Sequence, residues 1–189
     1  MKKLFLLLII TLSISCLNAQ TSYVWNGTTS TSFTTNTNWT PNGIPGAADN
    51  ATIVTGANNC ILTGNTTLTN LTITTGVLNL NGFTLNTTGV VVCNGGSCNN
   101  GTFNSTATSL TFAGTTFGAN ITANVTEVYF NGSTFNGSVT VTKNGAANAQ
   151  CNGNNVFNGV TSITNAGTGY LLLTNGAAGR NETFNAATT

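Results

Sequence analysis

Cys93-Asn94-Gly95-Gly96-Ser97-Cys98 aligns with Phe112-Ala113-Gly114-Thr115-Thr116-Phe117, and that stretch aligns in turn with Phe130-Asn131-Gly132-Ser133-Thr134-Phe135. The first offset is 19 residues and the second is 18, and the second match runs on to Ile121-Thr122 over Val139-Thr140. A short, nearly fixed period means one supersecondary unit stacked on copies of itself. In each copy an apolar residue, a Gly-containing turn and a second apolar residue follow one another, flanked by alternating Thr, Ser and Asn. Alternation at period two is the pattern of a half-buried strand, so the unit is built from short strands. The predicted fold class is all-β, a single-stranded parallel β-helix (β-solenoid).

The pattern extends outward from this core. Leu71-Thr72-Ile73, Val77-Leu78-Asn79-Leu80, Phe83-Thr84-Leu85, Val90-Val91-Val92, Val139-Thr140-Val141-Thr142 and Tyr170-Leu171-Leu172-Leu173 are short apolar segments between Asn-Gly, Thr-Gly or Gly-Gly turns. No stretch carries a sustained helical stripe. Sandwiches and up-and-down barrels also space strands this closely, but they do not require consecutive units to resemble one another. A longer interval is superimposed: Phe103, Phe130, Phe157 and Phe184, each followed by Asn, are 27 residues apart, whereas Phe135-Asn136-Gly137 and Phe157-Asn158-Gly159 are 22 apart. The expectation is coils of 18 to 27 residues with loop insertions, and an inward ladder of Phe103, Phe112, Phe117, Phe130, Phe135, Phe157 and Phe184.

Three regions are predicted. Residues 1–19 read as an export signal: Lys2 and Lys3, an apolar run from Leu4 to Ile14, then Leu17-Asn18-Ala19 with cleavage near Ala19. Acylation at Cys16 is disfavoured by Ser13, which stands where such a site prefers Leu. The run is shorter than the roughly 20 residues a membrane span needs, and nothing later resembles one. Residues 20–57 hold both tryptophans and both prolines and read as an N-terminal capping segment over the open first rung. Residues 58–189 read as the repeats, ending just as another coil opens at Phe184-Asn185, so the chain is expected to be part of a longer one.

Function classes are narrowed by charge. Beyond residue 19 the positive residues are Lys143 and Arg180, the negative ones Asp49, Glu127 and Glu182, and there is no histidine. A basic track for nucleic acid is therefore absent. A serine triad lacks its imidazole, and the three carboxylates that glycoside hydrolysis would have to pair lie far apart in sequence. Each charged residue is expected to be an exposed solubilising group. No cofactor, metal ligand set or catalytic residue is assigned. Cys60, Cys93, Cys98 and Cys151 allow disulfides in an exported chain. Cys93 and Cys98 occupy the places of Phe112 and Phe117, so either a Cys93–Cys98 bridge or a pair of free buried thiols fits. Thr-x-Thr pairs such as Thr72-Ile73-Thr74 and Thr140-Val141-Thr142 raise an ice-binding face, although they do not recur at one place in every coil.

The stretch Trp25-Asn26-Gly27, Asn38-Trp39, Pro45, Asp49, Ile53 resembles the start of many large secreted bacterial repeat proteins, and Leu71-Thr72-Ile73 through Gly76-Val77-Leu78-Asn79-Leu80-Asn81-Gly82-Phe83 is similar to their solenoid coils. Phe157-Asn158-Gly159 through Tyr170-Leu171-Leu172-Leu173 resembles surface proteins of Bacteroidota-type bacteria. The resemblance implies a parallel β-helix stalk or autotransporter-passenger-like region, secreted by or displayed on a Gram-negative cell. The expected function is a non-catalytic adhesin-like surface or spacer, with surface glycans or other cells as partners. A polysaccharide lyase or hydrolase on a β-helix is the alternative, and ice binding is the third.

Overall fold

Strict alternation along the chain becomes strict alternation of burial. In Asn120–Val125 every second side chain is buried, and Val139, Val141 and Lys143 face inward from the next rung while Thr140 and Thr142 face out. A computed structural model describes residues 19–176 and 178–186. It is an all-β winding, a β-solenoid of about six turns. The expected export signal lies outside the described residues, save Ala19.

Each full turn has three short strands at three faces. The A face stacks Ser22–Trp25, Asn50–Ile53, Asn70–Ile73, Val90–Cys93, Ser109–Ala113 and Glu127–Asn131. The B face stacks Cys60–Ile61, Val77–Asn79, Ser97–Asn99, Thr116–Phe117, Thr134–Phe135, Val156–Phe157 and Thr183–Phe184. The C face stacks Thr66–Leu68, Thr84–Thr87, Thr102–Ser105, Asn120–Val125, Val139–Lys143 and Thr161–Asn165. Successive rungs within these stacks are parallel, and Ala149–Gln150 and Leu171–Leu172 form a further parallel pair. Parallel rungs hand every backbone N–H and C=O to a neighbour one rung away, so like residues are brought over like.

The register read from the repeats is the register of the structure. Phe112 pairs with Cys93 on one side and Phe130 on the other, Phe117 with Cys98 and Phe135, and Ile121 with Val139. The 27-residue interval needs correction. Phe157 and Phe184 do pair, but Phe103 lies on the C face beside Ile121, and Phe130 lies on the A face. Turns elsewhere are shorter; the last is lengthened because residues 173–182 are inserted between Leu171–Leu172 and Thr183–Phe184.

Phenylalanines fill the interior. Phe112, Phe117, Phe130 and Phe135 pack within one another's reach, with Phe112 edge-on to Phe117 at 5.0 Å and stacked on Phe130 at 5.5 Å. Phe103, Phe112, Phe117, Phe130, Phe135 and Phe157 are buried. Each contributes on the order of 1.5–3 kcal/mol of transfer free energy. Phe184 departs from the expected inward ladder. It stacks on Phe157 at 4.8 Å yet is 40% exposed, because among the described residues no rung lies on its far side.

Corners are tight enough to demand glycine. Gly96 has φ +62°, and a Cβ built on it would stand 2.2 Å from the Gly76 carbonyl of the rung below. Both the left-handed backbone and the close approach exclude other residues there.

At the N-terminal end Trp25, Phe33 and Trp39 make edge-to-face contacts at 5.0 Å. Trp25 Nε1–H donates to the Asn58 carbonyl at 2.7 Å and Trp39 Nε1–H to that of Phe33 at 2.8 Å. Buried Asn38 accepts from the backbone N–H groups of Thr29 and Ser30 and donates to the Ser32 carbonyl. Indole and amide groups are thus paired as their burial requires. Ser22–Trp25 and Asn50–Ile53 are themselves parallel rungs, so the winding begins within residues 20–57 rather than after them.

Candidate binding faces

Because side chains alternate in and out, each face presents fixed columns of outward residues. On the C face one column runs Asn86, Asn104, Thr122, Thr140, Ser162, and the next holds Asn124, Thr142, Thr164. Asn104 Nδ2 donates to Asn86 Oδ1 at 2.9 Å, and Asn144 Nδ2 to Asn124 Oδ1 at 2.8 Å. The column residues are small and uncharged. Thr140-Val141-Thr142 and Ser162-Ile163-Thr164 recur here at one place, whereas Thr72-Ile73-Thr74 belongs to the A face.

The A face is not flat. Ser22, Asn50, Thr52, Asn70, Thr72 and Val90 border a shallow depression of about 290 Å³. An amide ladder runs along it: Asn50 Nδ2 donates to Ser22 Oγ at 2.9 Å, and Asn70 Nδ2 to Asn50 Oδ1 at 2.7 Å. Asn70 Oδ1 then accepts the Val90 backbone N–H. A second hollow of about 240 Å³ lies between the capping segment and the C face, bordered by Phe33, Ile44, Pro45 and Thr66.

The structure places the charged residues apart and in structural work. Asp49 accepts the Thr21 and Gly46 backbone N–H groups at 3.0 and 2.9 Å. Glu182 accepts both the backbone N–H and the amide of Asn155 at 3.1 Å; burial raises its carboxyl above the usual range against those bonds. Arg180 donates to the side chain of Asn152 at 2.8 Å. The expectation that every charge is an exposed solubilising group is corrected by Lys143. It is fully buried, its Nζ 3.5 Å from Glu127 Oε2 and 2.8 Å from the Gly145 carbonyl. Its inward position follows from the period-two alternation of Val139–Lys143. Alternation carried that far would have flagged it. Among the described residues no three metal-ligating side chains gather.

Cys60, Cys93, Cys98 and Cys151 are free and buried. A Cys93–Cys98 bridge is therefore not what the structure shows: each thiol occupies the inward place that neighbouring rungs give to Phe112 and Phe117. Burial pushes the Cys98 thiol up to about 12 and the Cys151 thiol to about 11. Cys60 and Cys93 are raised further still, by burial first and the neighbouring Cys98 second. Thiols held protonated this firmly are packing groups, not nucleophiles.

No family model, curated protein or solved structure matches this chain.

Proposed function

We propose that this chain is an exported, non-catalytic β-solenoid whose uncharged Asn/Thr faces serve as an adhesive surface or as a spacer on a bacterial cell, in contact with surface glycans or other cells. One observation carries this reading. Outward columns of small hydroxyl and amide groups recur rung after rung, while Asp49, Glu127 and Glu182 are each held by separate structural partners. Many weak, identical contacts on a rigid rod favour a repetitive or multivalent target. The resemblance to secreted repeat proteins points the same way.

The test pairs binding with turnover. Purified protein is presented to bacterial cells and to polysaccharides before and after Asp49→Asn and Glu182→Gln, which keep the fold's acceptor geometry. Unchanged cell binding with no release of sugar products supports the adhesive reading. Polysaccharide cleavage that these changes abolish supports the β-helix enzyme instead.

The C face favours a second reading, ice binding, because Thr140, Thr142, Ser162 and Thr164 form a regular uncharged array. Thermal hysteresis of the purified protein, lost on Thr140→Lys with Thr142→Lys, is its signature.

A further inference from the structure

Resting on the adhesive reading, we propose that the depression on the A face is a subsite for an uncharged oligosaccharide. Its lining supplies what such a ligand needs and little that other ligands need. Asn50, Asn70, Ser22, Thr52 and Thr72 present hydroxyl and amide groups, and Val90, 45% exposed, adds an aliphatic surface at one end. A sugar ring has that same composition: hydroxyls around its edge and C–H groups on its faces. No ionisable side chain borders the depression. The nearest in sequence, Asp49, has both carboxylate oxygens occupied by backbone N–H groups. An anionic polymer would meet no cation here, and a purely apolar ligand would leave five polar side chains unpaired, at a cost.

The polar groups are also held in place before any ligand arrives. Asn70 is fixed at both ends, by Asn50 Oδ1 and by the Val90 N–H, and Asn50 by Ser22. Gly89 makes this possible: a Cβ there would stand 2.2 Å from Asn70 Oδ1. Thr52 and Thr72 are β-branched and stiff at χ1, so their outward hydroxyls are ordered at little entropic cost. Successive rungs repeat these groups at ~4.8 Å along the axis, close to the length of one pyranose residue in an extended chain. A chain of sugars laid along the ladder therefore meets the same groups at each step. Single contacts are weak, and useful avidity comes from many displayed copies.

The test uses the whole protein, a panel of immobilised glucose, mannose and N-acetylglucosamine oligomers, and polygalacturonate as the anionic comparison. Binding to at least one neutral oligomer in preference to polygalacturonate is expected. Thr52→Val with Thr72→Val keeps shape and strand preference while removing both hydroxyls, and should weaken that binding about tenfold or more. Thr140→Val with Thr142→Val on the C face should leave it unchanged. Preference for the anionic polymer, an equal loss from the C-face pair, or no effect of the A-face pair overturns the proposal. If every neutral oligomer fails while the protein still adheres to cells, the subsite is refuted and the adhesive reading stands. Absence of both refutes the two together.

Discussion

Phe157 lies on Phe135 with ring centroids 4.8 Å apart and planes 7° from parallel. That separation is the spacing between neighbouring strands, so the backbone ladder sets the aromatic stack. Phe117 continues the column below at 5.7 Å from Phe135, and Phe184 above at 4.8 Å from Phe157. The solenoid is thus held by an axial stack in which each ring shields the next.

Position within that stack sets the cost of removing a ring. Phe135→Ala, in the middle, should cost about 3–5 kcal/mol because neighbouring rungs cannot close the cavity. Phe184→Ala, on a half-exposed ring, should cost about 1 kcal/mol or less. Phe130→Asp should abolish cooperative unfolding. Urea titrations followed by far-UV circular dichroism rank the three; equal midpoints for Phe135→Ala and Phe184→Ala would contradict the stacking account.

The 18–19-residue register was legible because stacking like on like leaves a trace in sequence: Phe112, Cys93 and Phe130 share a column and a chemistry. The 27-residue Phe-Asn interval misled, since a pair of letters cannot say which of three faces it occupies. Phe103 and Phe130 bear the same side chain on different faces. The A-face depression was also hidden. Ser22, Asn50 and Asn70 meet there through coil lengths set by the capping loop, and no local motif records that loop. Lys143 was legible in principle through alternation, but surface position is the ordinary expectation for lysine and masked it.

Lys143 and Glu127 form an ion pair whose lysine is fully buried and whose glutamate is 13% exposed. Removing one partner leaves the other charge poorly solvated, so Glu127→Gln or Lys143→Met alone should destabilise by about 3 kcal/mol. Lys143→Met with Glu127→Gln removes both charges and should recover most of that loss. A double-mutant cycle in urea measures the coupling. Additive losses would show that the pair does not act as a unit.

Cysteine burial gives the fold an alkaline limit. Below pH 9, the ordinary thiol value, folded and unfolded chains both keep their thiol protons, and these groups add no pH dependence. Above it the unfolded chain loses protons that the folded chain retains, up to about 11 at Cys151 and about 12 at Cys98. The folded state then binds more protons, so stability falls as pH rises through that window. Cys98→Val should flatten the decline, and at pH 8 a disulfide-exchange reagent should label the four thiols only after urea is added. Rapid labelling of Cys98 in the folded protein would contradict its burial.

The B face carries an amide ladder at its outer edge. Asn158 Nδ2 donates to Asn136 Oδ1 at 2.7 Å, and Asn158 Oδ1 accepts from Asn185 Nδ2 at 2.7 Å. Each amide thus donates one way along the axis and accepts the other. Asn158→Asp keeps the acceptor for Asn185 but sets a carboxylate oxygen against the Asn136 carbonyl oxygen. At neutral pH this should cost about 1 kcal/mol, moderated by exposure to water. Protonation restores an O–H that can donate to Asn136, so the penalty should shrink as pH falls through about 4. Asn158→Ala, which cannot regain a donor, should show no such recovery. Unfolding midpoints at pH 3.5 and pH 7 for both variants decide the matter: parallel behaviour would mean that the ladder contributes shape and not directional hydrogen bonding.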